Sequence, residues 1–355
     1  MSALGGAMAE LVAWEAVSSL GESARETSLL WEAGIVNLAP SRFVLEDGSR
    51  VNLCACPALS PELLGEARLA ELAACALERL ATRMGGAGLQ GIRTLLLSLP
   101  ERLAAQAHGR ELNAQGQRLI EALLRHPLFA GQGLRIEAYP FGRAAGALAL
   151  HRAAELMAAG QRVLWGGLDT LHDWQALEAL AKQERLLNED NVDGVRPGEA
   201  AAFAVLQAAQ GGGDRPIVMG VGLGREDLAV QQQGGPLRFD GLAKAVMTST
   251  TSLRDLRRRC NYWLFDTTHE AVAAQRLQHV LTACADIVGL QTAIHGPLKA
   301  LGDVGAASLP LFAALAAEAW RHGSADDNTA LLAASSDSSA CGAIVLGDSI
   351  ARMTT

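Results

Sequence analysis

The sequence predicts an α/β protein made of two similar halves, residues 1–210 and 211–355, packed as one unit. Three observations lead there. Short apolar runs alternate with longer amphipathic ones along the chain, the pattern of parallel strands joined by covering helices. Each half begins and ends on an apolar run. Between them lies Gln210-Gly-Gly-Gly-Asp-Arg-Pro216, where glycines free the chain and a proline precedes the next strand. Half of the 355 residues are apolar, enough for a large core. Many alanines, leucines and glycines with few aromatics suit helices lying close on sheets.

The elements follow in order. Glu10 to Ser18 reads as a strand. Ser23 then caps a helix over 24–33. Asp47-Gly48 is a turn signal before a strand over Arg50 to Ala55. Ser60-Pro61-Glu62 opens a helix to about Arg83, since proline and a carboxylate both suit a first turn. Leu64, Leu69, Leu72, Leu77 and Leu80 form its covered side, and glycines at 85, 86 and 88 end it. Thr94 to Pro100 is a strand buried on both faces, and 113–126 an amphipathic helix. Leu134 to Ala138 is a strand, Pro140-Phe141-Gly142-Arg143 a sharp turn, and 144–159 a buried helix. A strand at Arg162 to Trp165 runs into Gly166-Gly167-Leu168-Asp169. A helix over 174–183, a polar loop and a strand over 202–207 complete this half. The second half has strands at Ile217–Leu223, Tyr262–Phe265 and Gly342–Leu346. Helical character covers 239–259, 270–285 and 309–321.

Bulk properties exclude several classes. A net charge of −8 argues against nucleic acid as a main partner. The basic group Arg254, Arg257, Arg258 and Arg259 reads as a solvated helix end. Six scattered cysteines without a CxxC pair point to a reducing, cytoplasmic setting and to no metal site. There is no basic segment before an apolar run at the N-terminus, and no apolar run long enough for a membrane span. Gly220-Val-Gly222-Leu-Gly224 does not match the dinucleotide fingerprint, and no Walker loop, HExxH or GxSxG is present, so no cofactor is expected.

The unit from Arg135 to Leu187 resembles the nucleophile region of the β-ketoacyl-acyl-carrier-protein synthases, members of the thiolase superfamily. There a helix begins with Cys-Ser-Ser-Gly and the next strand ends in Gly-Gly-x-Asp. This sequence has Arg143-Ala144-Ala145-Gly146 and Gly166-Gly167-Leu168-Asp169. Downstream, Asp193-Gly194 and Gly198-Glu199 keep the order of the family's Asp-Gly-Phe and Gly-Glu-Gly-Ala, with Ala200 replacing a glycine. The resemblance implies a duplicated thiolase-like fold, layered α-β-α-β-α, with two mixed, mainly parallel sheets. It covers most of the chain and is loose over 1–130.

A synthase of this kind needs a cysteine thiolate as acyl acceptor, two polar groups, usually histidines, and backbone amides for the thioester oxyanion. The resemblance puts Arg143 in the cysteine's place. A guanidinium stays protonated and cannot accept an acyl group. Arg143 reads as a solvent-facing or ion-paired residue at a helix start, or as a cation filling a vestigial acyl site. In the strand–loop of the first histidine, Asp266 stands nearest and His269 is the alternative. Gly302-Asp303-Val-Gly305-Ala-Ala-Ser308 resembles a shortened form of the second histidine's motif, placing Lys299 near the family lysine and Asp303 at the histidine. A rival register uses His295-Gly296. The family's glycine-rich gate is replaced by Ser335-Ser336-Asp337-Ser338-Ser339-Ala340-Cys341. Cys341 is either a relocated nucleophile or, the favoured reading, a small buried residue opening a strand.

These changes imply a non-catalytic adaptor or partner subunit. The resemblance implies a homodimer, or a heterodimer with a related thiolase-fold chain, through the edge strand over 134–138. Degenerate members of the superfamily serve as chain length factors or accompany bacterial secretion systems, including type VI, in effector loading. An effector or an acyl carrier protein is therefore an expected partner. The alternative is an acyl-thioester enzyme using His269, His295, Asp303 or Cys341.

Overall fold

The first half of the chain runs β1 (Ala9–Ser18), α1 (Ala24–Glu32), β2 (Ala39–Val44), β3 (Arg50–Leu53), α2 (Gly65–Arg83), β4 (Thr94–Ser98), α3 (Ala114–Leu124), β5 (Arg135–Tyr139), α4 (Ala145–Ala158), β6 (Val163–Thr170), α5 (Trp174–Lys182) and β7 (Glu199–Ala208). The second half runs β8 (Ile217–Arg225), α6 (Asp240–Ser249), α7 (Thr251–Asp255), β9 (Tyr262–Phe265), α8 (Ala271–Ala283), β10 (Ala293–His295), α9 (Leu298–Leu301), α10 (Ser308–His322), β11 (Thr329–Ser335) and β12 (Ala340–Gly347). The computed structural model describes residues 9–46, 48–85, 88–107, 109–210, 215–227, 239–255, 258–325 and 328–347. Parts of the expected turns at 47 and 86–87, the glycine run at 211–213, and Arg257 of the basic group lie outside them. Arg254 of that group pairs with Asp286 at 2.6 Å.

The strand order is β10-β9-β11-β12-β8-β1-β7-β6-β4-β5. Leaving out the separate β2–β3 pair and counting within its own half, each set of strands has one order: third, second, fourth, fifth, first. Directions repeat too. The second strand pairs parallel with the third and fourth, and the fifth lies antiparallel between the fourth and first. The fold is thus a duplicated one. The expected two sheets are joined into one hydrogen-bonded network, because β1 meets β8 at one corner. Ala9 faces Val218, Glu10 faces Ile217, and the Leu11 amide donates to the Pro216 carbonyl at 2.8 Å.

Three apolar layers fill the spaces between elements. The largest contains α4, α10 and the inner faces of both sets of strands. From Ser308 to Ala319 every residue of α10 is buried. Helices α2 and α3 cover the outer face of the first set, and α6 and α8 that of the second. This gives five layers, α-β-α-β-α.

Local chemistry explains one departure from the sequence reading and the role of one glycine run. Helix α2 begins at Gly65 rather than at Ser60. The Arg68 guanidinium donates to the carbonyls of Ser60 (2.8 Å) and Leu63 (3.2 Å), which holds that segment in turns. Its other nitrogens meet Glu199 at 2.6 Å, both side chains being 1% exposed. Thr170 and the Cys56 amide also donate to Glu199, so this buried charge pair is fully hydrogen-bonded, as burial requires. The glycines of Gly220-Val-Gly222-Leu-Gly224 let α6 lie directly on β8. A Cβ at 220, 222 or 224 would come within 2.0, 1.8 or 1.8 Å of a backbone oxygen of α6.

Among the described residues no helix is long and apolar enough to cross a membrane.

Candidate functional site

Strands β4, β5, β6, β9 and β11 all deliver their C-terminal ends to one region, where α/β sheets collect polar loops. Arg143 sits there, in the turn between β5 and α4. Gly142 precedes it with φ +63°, a conformation that favours glycine and turns the chain sharply into the helix. The side chain of Arg143 points inward: the residue is 8% exposed, so the solvent-facing option is excluded and the ion-paired one holds.

Its guanidinium grips Asp303 in a bidentate pair, with Nε donating to Oδ1 at 3.0 Å and Nη2 to Oδ2. Nη1 reaches Asp337 Oδ1 at 3.3 Å and the Ser335 carbonyl at 3.4 Å. Asp303 is fixed from its other side, since Oδ1 also accepts from the Gly305 amide at 2.9 Å. Asp337 is half-exposed and shared with Arg185, whose Nη1 lies 3.1 Å from Oδ2. Arg185 in turn pairs with Glu270 at 2.7 Å. Beside this chain, Arg102 donates to Asp169 at 2.8 Å and to the Thr170 carbonyl at 2.7 Å. Asp266 accepts from the Ser335 amide at 2.7 Å.

Burial opposes the charge on Arg143, but Asp303 and Asp337 overcome it and hold its pKa well above the ordinary arginine value. The partial burial of Asp337 opposes its charge, yet Arg143 and Arg185 keep that carboxyl well below the usual range. Burial raises the pKa of Asp266 against the pull of Arg276 and Arg143. It also raises those of Glu101 and Asp169.

The start of α4 is occupied as well. Ser336 Oγ accepts from the Ala144 amide at 2.9 Å and donates to the Phe141 carbonyl. What remains over Arg143 is a cleft of about 200 Å³, whose walls carry Glu101, Arg102, Arg143, Arg185, Asp303 and Asp337 beside the apolar Leu171, Ala176, Ala179 and Leu180. Ligand pockets for drug-sized molecules run from roughly 300 Å³ upward and are mostly apolar. This cleft is smaller, and charged groups share its walls with apolar ones.

No protein-family model and no curated protein matches the sequence. Solved structures do match. A chain of the ishigamide ketosynthase/chain length factor superposes with a TM-score of 0.77 at 17% identity, covering 97% of this chain and 100% of its own length. A chain from the ketosynthase (ApeO) in complex with its chain length factor (ApeC) from Xenorhabdus doucetiae gives 0.74 at 14% identity, covering 96% and 98%. A chain from a type II polyketide synthase complex of acyl-carrier protein and ketosynthase (AntDE:AntF) also gives 0.74 at 14%, covering 97% and 99%.

The fold is that of the ketosynthases.

Within this ketosynthase fold the candidate residues divide into two groups. Arg143, Asp303 and Asp266 come together, the last through Ser335. His269 and His295 do not join them, and Cys341 touches the group only through the Ser335 hydroxyl. His269 is half-buried, and its pKa is lowered by burial and by Arg196 and Lys299. His295 packs its ring on Trp31 and Tyr262 and lines a separate cavity. Cys341 is 1% exposed, with Glu226 Oε1 at 3.4 Å, Ser335 Oγ at 3.5 Å and the Ser339 carbonyl at 3.6 Å. Burial and the Glu226 carboxylate push its thiol far above the ordinary value, the opposite of what a nucleophile needs. Lys299 is exposed. Sequence reasoning missed Asp337 and Arg185 as site members. Both were visible in polar loops, but the pairing of residues 152 positions apart leaves no local pattern.

Proposed function

We propose that this chain is a non-catalytic partner subunit of ketosynthase fold, in which an ion pair closes the position of the acyl acceptor. The observation that carries this reading is the buried, bidentate Arg143–Asp303 pair. A guanidinium held by two aspartates is no nucleophile, and it stands at the helix start where the resemblance expects the cysteine. The small size of the cleft and the filled amide of Ala144 support the same conclusion. The runner-up, an acyl-thioester enzyme with relocated residues, needs an activated thiol, and the surroundings of Cys341 oppose one.

Structures of a ketosynthase with its chain length factor, and of one with an acyl-carrier protein, support a related chain and a carrier protein as partners. Strand β5 is the surface for the first. It lies at one end of the sheet order. The Arg135 amide donates to the Arg93 carbonyl and the Tyr139 carbonyl accepts from Leu99, both towards β4. By alternation the backbone groups of Ile136 and Ala138 face outward, free to pair with another strand. A homodimer uses the same edge. The finer role, an accessory factor loading a bacterial type VI secretion effector in the cytoplasm, rests on the resemblance alone and would appear as an effector among the partners.

Purification of the tagged chain from its native host tests this reading. The expected result is recovery of a second ketosynthase-fold subunit, and its loss in Ala138→Pro, which removes one outward donor where proline is tolerated. A monomer that brings down no ketosynthase-fold chain of either kind would contradict it.

A further inference from the structure

A separate cavity of about 860 Å³ lies beside β10, the edge strand at the opposite end of the sheet order from β5. Three aromatic rings meet in its wall. Trp31 and His295 are edge to face at 5.6 Å between ring centroids, with planes at 78°. Tyr262 and His295 are 5.1 Å apart at 53°. The amide side chains of Asn261 and Gln291 and the carboxylate of Glu32 also line it.

The polar atoms of these rings are unused. Among the described residues the Tyr262 hydroxyl, the Trp31 indole N–H and the ring nitrogens of His295 have no hydrogen-bond partner. Tyr262 is 8% exposed and lines the cavity. An unpaired hydroxyl in the wall of a roomy cavity is available to a ligand. Glu32 is exposed at the rim, and one of its oxygens accepts from Ser28 at 2.9 Å. Burial lowers the pKa of His295, so among the described residues no cationic side chain lines the space at neutral pH. The aromatic faces and the carboxylate both favour positive charge.

We propose that this cavity binds an organic cation, an alkylammonium or guanidinium group, held against the Trp31 and Tyr262 rings with Glu32 as counter-ion. The group belongs either to a free amine or to a lysine or arginine side chain of a polypeptide. This proposal stands apart from the partner-subunit reading, because it uses neither Arg143 nor β5.

The test follows the indole ¹⁵N–H resonance of Trp31, assigned by its loss in Trp31→Phe. The full chain is titrated with choline, with its neutral isostere 3,3-dimethylbutanol, and with a capped glycyl-arginyl-glycine peptide. The cations should shift the resonance saturably with a Kd on the order of 1 mM, and the isostere at least about tenfold more weakly. Glu32→Gln, a change at an exposed position that preserves the fold, should weaken cation binding about fivefold. Tighter binding of the peptide than of choline assigns the cation to a polypeptide side chain, and the reverse to a free amine. Equal response to choline and the isostere, or no saturable shift with either cation, would overturn the proposal.

Discussion

Arg143→Met is expected to lower the unfolding free energy by about 3–5 kcal/mol, read as a shift in the denaturant midpoint at unchanged slope. The reason is the partner left behind. Asp303 is 7% exposed and has Arg143 as its ion-pair partner. Methionine fills much of the arginine volume but leaves that carboxylate buried without a counter-charge. The double variant Arg143→Met, Asp303→Leu should recover most of the loss, since replacing both members of a buried pair by apolar groups is far cheaper than removing one. The same argument separates a lock from a vestige. If Arg143 merely occupied an abandoned site, its removal would cost little and open a cavity. Arg143→Cys is expected to share the destabilisation without gaining an acyl acceptor, because the carboxylates around it disfavour a thiolate.

Gly222→Ala is expected to have a larger effect: loss of folded protein, equivalent to more than about 5 kcal/mol. An added methyl would lie 1.8 Å from the Ala245 carbonyl oxygen and 2.8 Å from the Ser249 nitrogen, both backbone atoms of α6. Neither side can retreat. Strand β8 is pinned between β12 and β1, and α6 is held at its start by Glu226, which accepts from the amides of Gly241 and Leu242 at 3.0 Å. Val221→Ala makes the control. That side chain belongs to the inner core on the other face of the strand, and its truncation should cost only about 2 kcal/mol. Thermal melts and soluble yield distinguish the two.

The sequence marks most of the fold because each element carries its own signal. Strands β4 and β9 are short apolar runs, and α4 begins just after a Pro-Phe-Gly turn. Where tertiary contacts override that signal, the reading fails: Ser60-Pro61-Glu62 has a helix-start composition, but Arg68 holds its carbonyls in turns. The glycines at 220, 222 and 224 announce a close approach without saying to what, and only the packed structure names α6. The site is legible to the same degree. Arg143, Asp266 and Asp303 fall on loops that the resemblance brings to one end of the strands, and they do meet. Their charges were legible, but not their pairing. Nothing near residue 143 points to 303 or 337, and nothing near Cys341 points to Glu226.

The central claim is that the ion-paired site transfers no acyl group. The most direct measurement is the intact mass of the purified chain after incubation with acyl-CoA and acyl-carrier-protein thioesters. The expected result is an unchanged mass with every thioester. An acyl adduct on the wild-type chain that disappears in Cys341→Ser would contradict the account and make Cys341 a working nucleophile.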